Sequence, residues 1–322
     1  MSDVSRRVFI TGASGFIGGA LARRYRDLGA DVRGVDLRAD AGAGVVEGDV
    51  AEAGAWQEHA AGADLVVHTA ALVGFGGPFE RFWRINTVGT RNALDAAMQA
   101  GAERFVHLSS IVVFGIDYPE GADELWPVKP TGAPYTDAKV AAEQVVLSRH
   151  AAGEIPCTVV RPGDVYGPAS DPWLIRPLEA IKSGGFAIPD GVVTPIYVDD
   201  LVDGIALAAG SPVAAGHVFT LTDGTKVENR RFFEPYHRWL GKKGPRILPA
   251  PLLKAGTWPV AKAAQLRGAY TDFAPATIDY YTRRNGYSNR KAREMLGFDP
   301  KVSFEDGMER SREWAEQNGL LS

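Results

Sequence analysis

Val8-Phe9-Ile10-Thr11-Gly12-Ala13-Ser14-Gly15-Phe16-Ile17-Gly18-Gly19 decides how the rest of this chain is read. An apolar run suited to a buried strand stops at a cluster of small residues. It passes directly into Ala20-Leu21-Ala22-Arg23-Arg24-Tyr25-Arg26-Asp27-Leu28, whose apolar positions recur at helical spacing. Strand, glycine turn and helix together make a phosphate cradle. Glycine permits a tight turn and close approach of the backbone to an anion, and the free N–H groups and positive end of the helix stabilise negative charge. The glycines fall at 12, 15 and 18, a departure of one residue from the G-x-G-x-x-G spacing, and no Gly-Lys-Ser/Thr follows, which argues against a P-loop. The occupant this predicts is a pyrophosphate.

Downstream, Asp31 to Leu37 predicts a second strand ending in Asp36, about two dozen residues after Gly12. That is the interval at which a carboxylate accepts hydrogen bonds from adenosine ribose hydroxyls. A carboxylate there repels a 2′-phosphate, so NAD is favoured over NADP, with Arg33 and Arg38 as nearby charges able to soften the choice. Gly44 to Val50 predicts a third strand whose end, Asp49-Val50, meets the adenine. Asp64 to Ala71 predicts a fourth, and its small terminal residues Thr69, Ala70 and Ala71 leave room for a ligand. His68 reads as a packed strand-end residue, because no second histidine or carboxylate stands at metal or triad spacing; no metal site is expected. Residues 78–100 read as helical, with Asn86 placed to hydrogen-bond the neighbouring strand. Glu103 to Ser110 predicts a fifth strand ending in two hydroxyls. This alternation predicts an α/β fold, a Rossmann-type doubly wound parallel sheet with its ligand across the strands' carboxyl ends.

Tyr135-Thr136-Asp137-Ala138-Lys139 opens the next helix, so Tyr135 and Lys139 stand four apart on one face. An ammonium beneath a phenol stabilises the phenolate and draws its pKa down from about 10, which makes the tyrosine a general base. Ser110 supplies a second hydrogen bond to the same substrate oxygen.

The ordered set of Thr11 to Gly18, Asn86, Ser109-Ser110 with Phe114-Gly115, Tyr135 to Lys139, and Arg161-Pro162-Gly163-Asp164-Val165-Tyr166-Gly167-Pro168 resembles the extended short-chain dehydrogenase/reductases over nearly the whole chain. The C-terminal pattern of Tyr280, Tyr281, Lys291-Ala292, Leu296-Gly297-Phe298 and Trp314 looks most like the 3β-hydroxysteroid and sterol dehydrogenase branch. The resemblance implies a catalytic set of Asn86, Ser110, Tyr135 and Lys139, with Lys139 also holding the nicotinamide ribose. It implies NAD contacts at Gly12, Ser14, Gly15, Phe16, Ile17, Gly18, Asp36, Leu37, Asp49, Val50, Thr69, Ala70, Ala71, Tyr135, Lys139, Pro162 and Val165. It also implies a homodimer through the Tyr135 helix and the helix near residues 86–100. On this reading residues 1–167 form the NAD-binding domain, with returns near 193–220, and residues 168–322 are mainly a smaller substrate-binding lobe. Asp199 and Asp200 would cap the helix that follows them.

Composition narrows the partners. A net charge of −4 gives no basic footprint for nucleic acid, and 45% hydrophobic with 23% charged residues is ordinary for a soluble globular chain of 322 residues. No apolar run reaches transmembrane length. The single cysteine, Cys157, sits in a strand-like run and fits a reducing compartment, so a small-molecule substrate and a cytoplasmic location are expected. Ser5-Arg6-Arg7 resembles a twin-arginine signal, but the glycine turn and basic helix that follow favour solvated arginines entering a strand.

The reaction is read from what surrounds the shared centre. Sugar dehydratases carry an acidic pair after the catalytic hydroxyl, whereas this chain has Ile111-Val112, which cannot transfer protons. Asp164 stands where nucleotide-sugar enzymes commonly carry Asn, and an unpaired carboxylate facing a diphosphate costs Coulomb energy. Trp173, Phe186, Ile188, Ile196, Tyr197 and Trp258 suggest an apolar substrate site, against which stand Arg176, Arg230, Arg231 and Arg267. Pro251 to Lys262 is amphipathic and reads as a lid, a membrane-surface contact or lobe core, with core or lid favoured because Pro259 interrupts any long interfacial helix. The expected activity is NAD-dependent interconversion of a secondary alcohol and a ketone on a steroid-, sterol- or lipid-like substrate. The alternative is a nucleotide-sugar 4-epimerase using the same centre.

Overall fold

A computed structural model describes residues 7–322; Arg6 lies outside the described residues. The central sheet is built from β1 (Arg7–Thr11), β2 (Asp31–Asp36), β3 (Val45–Glu47), β4 (Leu65–His68), β5 (Arg104–Leu108), β6 (Cys157–Pro162) and a last strand, Val218–Leu221. Its spatial order is Val218–Leu221, β6, β5, β4, β1, β2, β3, and every pairing is parallel. All of β4 and all of β6 are buried. Helices cover both faces of such a sheet, which is why these strands read as continuous apolar runs without alternation. Strand order reverses at β1, between β2 and β4, and opens a crevice at the carboxyl ends there.

The glycine turn sits in that crevice. Gly12 has φ +71° and donates its N–H to Val35 O at 2.8 Å, bending the chain sharply after β1. Gly18 lies in the first turn of α1 (Phe16–Asp27), and a Cβ there would sit 2.0 Å from Gly12 O, so only glycine lets helix and strand approach this closely. The helix Val198–Gly210 bonds to α1 through Arg24 and Asp203 at 2.7 Å.

Two local expectations are corrected. Asp200 does stand in the first turn of Val198–Gly210, yet its carboxylate accepts from the N–H groups of Lys301 and Val302, at 2.8 and 3.0 Å, rather than capping its own helix. It anchors the C-terminal segment. Pro259 does not interrupt its helix, which runs unbroken over Ala250–Leu266 and contains no buried residue, so it is not lobe core. The missing N–H would have met the carbonyl of Ala255, and both residues are on the exposed side, where water can serve that carbonyl.

Candidate active site

The crevice widens into a cleft of about 1890 Å³ between the sheet's carboxyl edge and the elements after residue 168. Gly12, Gly15, Phe16, Ile17 and Gly18 line one end, with Asp36, Leu37, Asp49 and Val50 beside them. Thr69, Ala70 and Ala71 floor the middle, and Ser110, Tyr135, Lys139, Pro162 and Val165 follow. A Cβ on Gly12 would stand 2.9 Å from Ala70 Cα, so the loop and the end of β4 leave no room for a side chain and present bare backbone to the cleft. That is the surface a dinucleotide's pyrophosphate needs. Asp36 accepts from the N–H of Ser14 at 3.0 Å and of Leu37 at 2.7 Å, which fixes its carboxylate at the crevice wall. Arg33 turns away to Ala61 O at 3.0 Å.

Two expected site residues do not line the cleft. Ser14 acts through its backbone on Asp36. Asn86 is buried, and its amide is bonded to the Leu72 backbone, accepting from Leu72 N at 2.8 Å and donating to Leu72 O at 3.0 Å. It sits in a widened π-helical turn, Trp83–Val88, and its partner is the loop after β4 rather than a strand. Asn86 therefore positions that loop.

Tyr135 and Lys139 share the buried face of the helix Pro134–Ala151. Burial pushes the Tyr135 phenol up to about 12, and the neighbouring Ser110 hydroxyl acts in the opposite direction. The expectation that Lys139 draws the phenol down is not met in the chain by itself. Lys139 Nζ donates to Leu108 O at 2.7 Å, and burial brings its own pKa down to about 8, opposed by the charge of Glu143. Glu143 was missed in the sequence, although it lies one turn beyond Lys139 at the same i, i+4 spacing. It accepts from Ser109 Oγ at 2.6 Å and pairs with Arg161 at 2.7 and 2.9 Å, all three groups being buried. These contacts lock the end of β5, the tyrosine helix and β6 together beneath the site.

At the far end of the cleft stand Phe75, Trp173, Phe186, Ile188, Tyr280 and Tyr281. Phe75 meets Tyr135 edge-on at 6.0 Å and Tyr280 at 4.9 Å. Its loop is pinned by reciprocal backbone bonds between Gly76 and Thr271, at 2.8 and 3.0 Å. Ile196 and Tyr197 are buried away from the cleft and Trp258 lies on the outer surface, so these three are withdrawn from the apolar wall. Asp164 is also corrected. It is paired, with Arg283 Nη2 at 3.0 Å, the Tyr280 hydroxyl, and Thr194 N at 2.7 Å, so it opposes no diphosphate as a bare charge. Val112 fills the position after Ile111 as a buried apolar side chain.

Residues 8–221 match the family model described as the NAD dependent epimerase/dehydratase family. The chain belongs to that family. It is similar to a curated Mycobacterium tuberculosis protein, 3 beta-hydroxysteroid dehydrogenase/Delta 5-->4-isomerase, 28% identical and covering 94% of this chain and 88% of that one. It is similar also to a Stigmatella aurantiaca enzyme, 4-hydroxy-2-methyl-3-oxo-4-farnesyl-3,4-dihydroquinoline-1-oxide ketoreductase, 29% identical over 95% of this chain and 96% of that one. Among solved structures, MoeE5 in complex with UDP-glucose and NAD superposes with a TM-score of 0.78 at 24% identity, covering 97% of this chain and 99% of that one. The epimerase/dehydratase family thus accounts for the sheet, the crevice and the order of the motifs, and these two curated relatives are named a dehydrogenase/isomerase and a ketoreductase.

Proposed function

We propose that this family member is an NAD-dependent oxidoreductase that interconverts a secondary alcohol and a ketone on an apolar, steroid-, sterol- or lipid-like substrate. The observation that carries the reading is the convergence of Ser110, Tyr135 and Lys139 on one cleft, between the bare glycine loop and a wall of Phe75, Trp173, Phe186 and Ile188. NAD, when bound, supplies the hydride acceptor. Gly12, Gly15 and Gly18 would hold its pyrophosphate and Asp36 its adenosine ribose; Arg33, turned to Ala61, leaves that carboxylate to favour NAD over NADP. Ser110 donates to the substrate oxygen, Tyr135 takes the hydroxyl proton as the carbon's hydride departs, and the carbonyl forms. Lys139, held by Leu108 O and one turn from Tyr135, orients the nicotinamide ribose, and its charge together with that of bound NAD would favour the phenolate form that Tyr135 needs before it accepts the proton.

The charges of the cleft favour an apolar substrate over a sugar diphosphate. Its arginines are already engaged: Arg81 over the Tyr270 ring, Arg84 with Glu52, and Arg176 with Asp171 and Asp272. The same reading carries a cytoplasmic homodimer joined through Pro134–Ala151 and Gly89–Ala100, where Ala141 and Val145 stay half-exposed; a monomer in sedimentation at micromolar concentration would remove the dimer.

The test is an NAD-reduction screen against sterols, lipid alcohols and nucleotide sugars. NADH should accumulate with a sterol or lipid alcohol, and Tyr135→Phe should cut that rate by about 10²- to 10⁴-fold while NAD binding stays near wild type. Epimer formed from UDP-glucose without net NADH would replace this reading with the 4-epimerase.

A further inference from the structure

Residues 241–267 carry six cations, Lys242, Lys243, Arg246, Lys254, Lys262 and Arg267, and no aspartate or glutamate, in a chain whose net charge is −4. Most of this stretch is the helix Ala250–Leu266. Its half-buried stripe, Leu253, Thr257, Ala261 and Ala264, faces the protein, and Leu253 and Thr257 line the cleft. The opposite stripe is Leu252, Ala255, Gly256, Pro259 and Leu266, and all five are exposed. Leu252 is 60% exposed, Trp258 61% and Leu266 78%. A helix on the surface of a globular protein ordinarily turns polar residues outward. This one turns apolar residues outward and flanks them with cations.

We propose that this face docks peripherally on an anionic lipid bilayer surface, which brings the mouth of the cleft to the membrane. Apolar side chains flanked by lysine and arginine match the acyl boundary and the phosphate layer of such a surface. A second copy of the chain fits less well, because a two-fold contact would set this acid-free basic stretch against itself. The nearest carboxylates that follow, Asp272 and Asp279, are taken by Arg176 and Lys254. Among the described residues no helix is long and apolar enough to cross a membrane, so the contact is peripheral. It goes beyond the proposed reaction, and its test does not use turnover.

The full chain is floated with vesicles of phosphatidylcholine alone and of phosphatidylcholine with phosphatidylglycerol. Binding is expected to the anionic vesicles, falling as salt is raised. Lys242→Gln with Lys243→Gln should weaken it by about fivefold per lysine, and Leu252→Gln with Leu266→Gln by more than about tenfold. Thermal melting close to wild type verifies that both variants are folded. Equal affinity for the two vesicle types, no binding to either, or unchanged binding by the leucine variant overturns the proposal. So does a concentration-dependent dimer that the leucine variant abolishes, which would assign the face to a second copy.

Discussion

The imidazole of His68 is held at the end of β4 between Thr11 Oγ1 at 2.7 Å and Thr90 Oγ1 at 3.0 Å, and burial pulls its pKa down to about 3. His107 stacks on it at 5.5 Å and is lowered for the same reason. Both histidines stay neutral in the folded chain and become protonated readily once unfolded. Between pH 6.5 and 3 the unfolded state therefore binds more protons, and stability present above pH 6.5 is lost as pH falls through that window. His68 contributes a slope of up to about 1.4 kcal/mol per pH unit. His68→Gln removes its share, so denaturant unfolding should depend less steeply on pH between 6 and 4.5 than in the parent. Parallel curves would show that these rings do not titrate on unfolding. A histidine spent in this way is unsuited to catalysis, in keeping with the proposed transfer of the proton to Tyr135.

The turn from β1 into α1 shows how one element can be nearly readable and another not. Gly12, Gly15 and Gly18 announce the cradle because backbone approach restricts the residue type, and a local restriction leaves a local signal. Gly18→Ala should lower stability by about 1–3 kcal/mol through overpacking against Gly12 O and should abolish NAD binding. Calorimetric titration at the parent's affinity would refute the close approach. The first six strands of the sheet, the positions of Ser110, Tyr135 and Lys139, and the packed role of His68 were legible for the same reason: each follows from residues near in sequence; the last strand, Val218–Leu221, was covered only by an expected return of the chain near 193–220. Partnerships made across the fold were not. Asp164 could not be seen to pair with Arg283, more than a hundred residues away, nor Asp200 with the backbone at 301 and 302. Trp258 and Ile196 share one apolar character in the sequence, and only packing sends one outside and the other into the core. The helix Ala250–Leu266 misled for a related reason: proline breaks helices in general, but this one falls on the side where its lost bond is left to water.

At the scale of the whole molecule, the sheet and the later elements are joined by one buried charge cluster. Asp164 opens the short strand Asp164–Tyr166 and Thr194 N immediately precedes its parallel partner Pro195–Tyr197, while Tyr280 and Arg283 come from the helix Pro275–Tyr281 and the turn after it. Removing one member of such a pair strands the other charge in the interior. Arg283→Met should destabilise the chain by about 3–5 kcal/mol, read as a lower denaturant midpoint, and Arg283→Lys should recover part of it. An unchanged midpoint would mean that water already reaches Asp164. The cluster also holds Tyr280 against Phe75, so loosening it should widen the apolar end of the cleft. Cys157, on β6 with its side chain fully enclosed, has a consequence of another kind. Its thiol, pushed up to about 12 by burial, can meet a dissolved electrophile only when β6 parts from its neighbours. The chain thus carries its own clock for the opening of its central sheet, and an alkylating reagent need only be added to start it.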